Sequence, residues 1–169
     1  MWYTRSRRKR RIILSTLIIL ILILAAVFLT FIYFQFQVPI STEGYVKMYV
    51  DKIVSVGDNA VVQLKGKCTE MSIYISPWQA AAISEGTFNK TFFRPSTHDI
   101  IVDILEGYGI MPLMVKVTKL EENTYFAELV LQRWNYMLIL DIRPSDAIAT
   151  AVRTNIPIYV NENLVTKTC

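Results

Sequence analysis

The feature that most constrains this chain is that its second half repeats the order of its first. Tyr45 to Val56 reads as a strand, Gly57-Asp58-Asn59 as a turn, and Ala60 to Leu64 and Met71 to Ile75 as two more strands. Ser76-Pro77 then opens a short helix, Trp78 to Ser84, stopped at Gly86. Met114 to Leu120, a turn at Glu121-Glu122-Asn123, Tyr125 to Leu131 and Met137 to Ile142 are again three strands, leading into a helix that begins near Pro144. Laid over each other without gaps, the halves pair Lys52 with Lys119, Ala60 with Ala127, Leu64 with Leu131, Ile75 with Ile142, Pro77 with Pro144 and Ala80 with Ala147. That is the pattern of a duplicated strand-strand-strand-helix unit. Between the copies lies a separate helix, Thr97 to Gly107. Ile100, Ile101, Ile104, Leu105 and Tyr108 share one side of it, and Asp99, Asp103 and Glu106 share the other. Strands grouped with about three helices predict an α+β domain with a bent, mostly antiparallel sheet and helices on one face.

A different kind of segment precedes that domain. From Ile12 to Phe34 the chain is apolar except for Ser15, Thr16 and Thr30, long enough at ~1.5 Å per residue to cross a hydrocarbon core of ~30 Å. A cleaved signal peptide has a shorter apolar region ending in small residues, whereas this run ends in Phe31, Tyr33, Phe34 and Phe36. The expectation is an uncleaved, single-pass transmembrane anchor. Arg5, Arg7, Arg8, Lys9, Arg10 and Arg11 flank it on the N-terminal side, which predicts a cytoplasmic N-terminus and an extracytoplasmic domain. Membrane lipid, through anionic headgroups, is the expected partner of this arm. The Asn89-Lys90-Thr91 sequon is permitted by that topology. The chain thus divides into a basic arm (1–11), a transmembrane helix (12–34), a linker (35–44) and the duplicated domain (45–169).

Charge sharpens the division. The formal net charge is +4, yet every acidic residue falls after position 42. Without the arm the chain keeps twelve Lys and Arg against fourteen Asp and Glu, so the domain is slightly acidic and lacks the broad basic footprint of a nonspecific nucleic-acid binder. Any phosphate contact falls to a few local residues. Cys68 and Cys169 are too few for a disulfide framework and lack metal-ligand spacing. Two unpaired thiols are the simpler expectation, and one bridge between them is the alternative in an oxidising compartment.

The chemistry-bearing residues cluster in two places. RPSDAIATAVRTNIPIYV, Arg143 to Val160, reads as helix start, helix, turn and strand, with Ala147, Ile148, Ala151 and Val152 on one apolar face and Asn155 ending the helix. It concentrates Arg143, Ser145 and Asp146 at a helix N-terminus, where unpaired N–H groups and the dipole favour anions. FFRPSTHDII, Phe92 to Ile101, contains the chain's single histidine, His98, beside Asp99. An imidazole next to a carboxylate can exchange protons near neutral pH. Asp99 also has an ordinary role, since Ser96 with an acid three residues on is a capping box. Ser145 reads as a helix cap before a nucleophile, because no second histidine activates it. Arg94 and Arg143, which with Arg153 make three of the domain's four arginines, each precede a proline beside a helix start and are suited to bidentate phosphate contact, and equally to ion pairs of Arg143 with Asp141 or Asp146 and of Arg94 with Asp99.

These two segments together resemble the bifunctional nuclease domain family, which pairs an R-P-x-T-H-D segment with a later D-x-R-P-S-D-A-I-A segment. Here they are Arg94, Pro95, Thr97, His98 and Asp99, then Asp141, Arg143, Pro144, Ser145, Asp146, Ala147, Ile148 and Ala149. The resemblance spans roughly residues 45–165 and implies hydrolysis of DNA and RNA phosphodiesters. Under it His98, Asp99, Asp141 and Asp146 are candidate catalytic residues, and Arg94, Arg143 and Ser145 candidate phosphate-binding residues. Asp99, Asp141 and Asp146 are candidate ligands of Mg²⁺ or Mn²⁺, which prefer carboxylates and activate water. The family tends to carry Glu where this chain has Gln79, and an amide replaces a carboxylate neither as base nor as hard-metal ligand. A non-catalytic binding or assembly module on the same fold, including a homo-oligomer, is the competing expectation.

Overall fold

In the computed structural model, residues 3–35, 40–88 and 94–169 are described, with side chains described for 14–30, 40–88 and 94–169. The Asn89-Lys90-Thr91 sequon and residues 36–39 of the expected linker lie outside the described residues. The chain forms two compact units, residues 1–40 and 41–169. The first contains one helix, α1 (Tyr3–Gln35). Its described side chains, Leu14 to Thr30, are all exposed. Among the described residues no helix is long and apolar enough to cross a membrane.

The second unit follows the repeat. β1 (Tyr45–Val56), β2 (Asn59–Lys65) and β3 (Thr69–Ile75) lead to α2 (Pro77–Thr87), and α3 (Thr97–Gly107) follows. β4 (Met111–Glu121), β5 (Thr124–Arg133) and β6 (Tyr136–Ile142) lead to α4 (Pro144–Thr154), after which come β7 (Ile158–Asn161) and the two-residue β8 (Thr166–Lys167). The eight strands form one sheet in the order β6-β5-β4-β7-β1-β2-β3-β8. Every neighbouring pair is antiparallel except β4 with β7. The fold is therefore α+β with a mostly antiparallel sheet. β7 joins the copies, pairing β1 on one side and β4 on the other. β1 serves both halves: Tyr45 to Met48 face β7, and Tyr49 to Val56 face β2, with a register shift between Val50 and Lys52.

The copies agree closely where they approach the helices. Ala60 pairs with Ile75 and Ala127 with Ile142, so the β2–β3 and β5–β6 ladders share one register under the offset that maps Lys52 onto Lys119. They part at the first hairpin. The turn at Gly57-Asp58 maps onto Thr124-Tyr125, yet the second copy turns earlier, at Glu122-Asn123. Both of those residues are left-handed (φ 47° and 62°), as a two-residue type I′ turn requires. The register shift between Val117 and Lys119 in β4 falls at the position equivalent to the one between Val50 and Lys52 in β1, so this irregularity is common to both copies although the strand pairing is displaced.

One apolar core joins the inner faces of both halves, including Val62, Leu64, Val115, Val117 and Ile148, none more than 1% exposed. α4 is its central helix, with Ala147, Ile148, Ala149 and Ala151 all buried. Small residues let α2 lie close to it. A Cβ at Gly86 would sit 2.6 Å from Val152 Cγ2 and 2.8 Å from Arg153 Nη1. Gly86 is thus not the helix stop expected from sequence; α2 runs through it because bare backbone is needed for the approach to α4.

Two other expectations are corrected. The apolar side assigned to α3 faces outward: Ile100, Ile101, Ile104 and Tyr108 are exposed, and only Leu105 is buried. α3 meets the domain instead along His98, Val102 and Leu105, a stripe at helical spacing set by the contacts of its first turn. Cys68 and Cys169 are not free thiols but form a disulfide, with Cα atoms 5.3 Å apart. β8 brings them together by pairing Thr166 and Lys167 with Glu70 and Thr69, and Thr168 N–H donates to the Cys68 carbonyl. A strand this short leaves almost no signal in the sequence.

Candidate functional site

The three domain helices start from the same two positions, the N-cap and the third helical residue. In α2 these are Ser76 and Gln79: the Ser76 hydroxyl accepts from the Gln79 amide, and the Gln79 side chain accepts from the Ser76 amide. In α3 they are Ser96 and Asp99, again a reciprocal capping box. In α4 they are Arg143 and Asp146, and no side-chain cap is formed. The Asp146 carboxylate turns away from the helix instead. Arg143 Nε donates to its Oδ2 at 2.7 Å, and His98 Nε2 lies 3.4 Å from its Oδ1.

Exposure separates the members of this cluster. The side chains of His98 and Asp146 are 15% and 23% exposed, whereas that of Arg143 is 74% exposed. The imidazole and carboxylate are thus held at the edge of the domain while the guanidinium reaches into solvent. Pro144 has no N–H, and the Asp146 and Ala147 amides both donate to the Arg143 carbonyl at 3.0 Å. Cationic side chains, more than the expected free amides, are what this helix start offers an anion. Ser145 is buried and is not the cap expected from sequence, because the N-cap position falls on Arg143. Its hydroxyl accepts from Gln79 Nε2 at 2.9 Å, so the residue at which this chain departs from the family pattern spans the two copies.

Sequence reasoning assigned Arg153 no role of its own, yet its side chain is 7% exposed and ties three helices together. Nε donates to Asp99 Oδ1 at 2.7 Å, Nη1 to the Ala82 and Ala149 carbonyls at 2.7 and 2.9 Å, and Nη2 to Ser96 Oγ at 3.4 Å. Glu85 closes the web at 3.5 Å. The Arg153 hydrogen bond is the largest cause that lowers the Asp99 carboxyl from 3.8 to about 2; desolvation comes next and opposes it, and bonds from Ser96 add to the lowering. Asp99 is therefore an anchor of α3 whose oxygens are already used. Its arginine is Arg153, not Arg94. The available signal was position: Asp146, Ala149 and Arg153 fall on one stripe of α4.

The remaining candidates stay apart. Arg94 is exposed just before α3, and Asp141 is exposed on β6, two residues before Arg143. Neither has a side-chain hydrogen bond or ion pair among the described residues. No three His, Cys, Asp or Glu residues converge as a metal-binding group among them. One cavity of about 500 Å³ lies between β1 and α2, and another of about 690 Å³ lies beside the end of α3, with Arg153 in its lining.

This arrangement can be set beside known proteins. The bifunctional nuclease domain matches residues 61–169, and the chain belongs to that family. It is similar to an uncharacterized protein of Mycobacterium tuberculosis, with 36% identity over 92 residues, 54% of each chain. It is also similar to Bifunctional nuclease 1 of Arabidopsis thaliana, with 37% identity over 79 residues, 45% of this chain and 24% of that one. Bifunctional nuclease 2 of Oryza sativa subsp. japonica is 28% identical over 102 residues, 59% of this chain and 31% of the relative. The chain spans about half the length of the mycobacterial relative and less of the plant ones.

Proposed function

We propose that this protein is a nuclease-like hydrolase of DNA or RNA phosphodiesters, with His98, Asp146 and Arg143 as its working residues. The observation that carries the reading is the uncapped start of α4. Two neighbouring helices satisfy their first turn with a Ser and a reciprocal side chain, and the third gives that up to hold a carboxylate between an imidazole and a guanidinium. Local rules broken at one place point to function there. Plant relatives named bifunctional nuclease support the same reading.

In this mechanism Asp146 faces Nε2 of His98, which favours the tautomer protonated there and leaves Nδ1 as the basic atom. Nδ1 takes a proton from a water attacking phosphorus, the P–O bond to the leaving group breaks, and the proton passes to the departing oxygen. Arg143, whose terminal nitrogens have no partner among the described residues, and Arg94 bind the phosphate. A Mg²⁺ or Mn²⁺ ion was the expectation for Asp99, Asp141 and Asp146. Those three do not fit it as folded, since Asp99 is bonded to Arg153, Asp146 to Arg143, and Asp141 stands apart. No step is therefore routed through a metal.

The apolar run from Ile12 to Phe34 and the basic arm support a membrane anchor with the domain extracytoplasmic and the arm on anionic lipid. The Cys68–Cys169 bridge fits an oxidising compartment. Protease added to intact cells would digest the domain, and full protection would overturn this topology.

A non-catalytic assembly module is the second reading, favoured by the closed Arg153–Asp99–Glu85 web. Incubating the purified chain in detergent with single-stranded and duplex substrates, with Mg²⁺, Mn²⁺ or chelator, separates the two. Cleavage lost in both His98→Ala and Asp146→Asn supports the hydrolase. Cleavage that survives both variants, or no cleavage under any condition, removes it.

A further inference from the structure

The two edges of the sheet are built very differently. β8 is two residues long, contains Lys167, and is tied to its neighbour by the disulfide. Shortness and a charged side chain are the usual protections of an edge strand. β6, at the other edge, is Tyr-Met-Leu-Ile-Leu-Asp-Ile, with no Lys or Pro and a single charge, Asp141, near its end, and nothing among the described residues pairs with its outer side. Trp134, Tyr136, Leu138, Ile139 and Leu140 remain 72, 68, 41, 53 and 38% exposed. Because side chains alternate along a strand, this apolar surface lies on both faces of β6.

We infer that the β6 edge is a homodimer interface, in which β6 of a second copy adds antiparallel to the first and continues the sheet. A two-fold axis makes the same strand its own partner, so one apolar edge suffices. The area reaches the threshold when all of it is covered: at ~200 Å² for a large apolar side chain, the five residues expose roughly 500 Å² per copy, at most about 1,000 Å² over two, the least a specific interface needs. Full overlap of β6 with itself places Ile139 at the axis, Leu138 opposite the partner's Leu140, and Tyr136 opposite the partner's Ile142. This inference is independent of the hydrolase reading.

The test uses the full chain in detergent. Sedimentation equilibrium is expected to give a dimer whose dissociation constant rises at least tenfold in Ile139→Lys, where two ammonium groups would meet at the axis. Val54→Lys, exposed on β1, should leave it unchanged. Because Cys68 and Cys169 are already bridged, Ile139→Cys should cross-link into a covalent dimer under mild oxidation, and Val54→Cys should not. The cross-link decides the matter if the lysine variant misfolds. A wild-type monomer at every concentration overturns the proposal, as does a dimer that ignores Ile139→Lys and fails to cross-link through residue 139.

Discussion

The starts of α2 and α4 occupy equivalent places in the two copies and have been put to different uses. The first copy has Ser76, Pro77, Trp78 and Gln79; the second has Arg143, Pro144, Ser145 and Asp146. Both keep the proline that suits a first helical turn. In the first copy, Ser76 and Gln79 satisfy the helix end. In the second, the same two positions form an ion pair that faces a third segment, at His98. Duplication leaves one copy to stabilise the fold and frees the other, and the bond from Gln79 to Ser145 shows the stabilising copy supporting its partner.

The largest effect that could break this comparison is on activity. His98→Ala or Asp146→Asn should cost roughly 10² to 10⁴-fold in phosphodiester cleavage. Trp78→Ala, the first-copy position exposed beside Gln79, should change it little. Equal losses at both helix starts would mean that the copies are not divided in role.

Removing the tie between α3 and α4 comes next. Arg153→Met leaves Asp99 and two helix carbonyls without their donor and should lower stability by about 3–5 kcal/mol, read as a lower melting temperature. Acid should act on the same pair. With the Asp99 carboxyl depressed to about 2 in the folded protein, its contribution is fully present above the unfolded value of 3.8 and is lost as pH falls through about 2. Since Asp99 is partly exposed, we expect about 1–2 kcal/mol after solvent screening, measured by denaturant titration between pH 5 and 2 in wild type and Asp99→Asn. The smallest effect has the opposite sign. Arg143→Ser should restore a cap to α4 and raise stability by about 0.5–1 kcal/mol while weakening phosphate binding. A stability loss there would show that the uncapped start is not a concession to function.

Much of the fold was legible because it rests on local pattern. Runs bounded by turn residues marked the strands, and Thr97 to Gly107 was read with the helix limits that the structure has. Comparing the halves located α2 and α4 at equivalent positions. Errors arose wherever a residue's meaning depended on a distant neighbour. Gly86 looked like a stop until α4 lay against it, and the isoleucines of α3 looked like a buried face although Arg153 fixes the helix the other way round. β8 and the disulfide were hidden because two residues carry no periodicity.

For the site, sequence determined which groups are present and that they sit at helix starts, since the N-cap and third-residue spacing is a local property of the chain. Only the tertiary structure decided their partners: His98 with Asp146, Asp99 with Arg153, and Asp141 with neither. The reason is range. Capping reaches three residues along the chain, whereas an ion pair between α3 and α4 depends on how each helix is rotated against the sheet, and burial of the whole core sets that rotation.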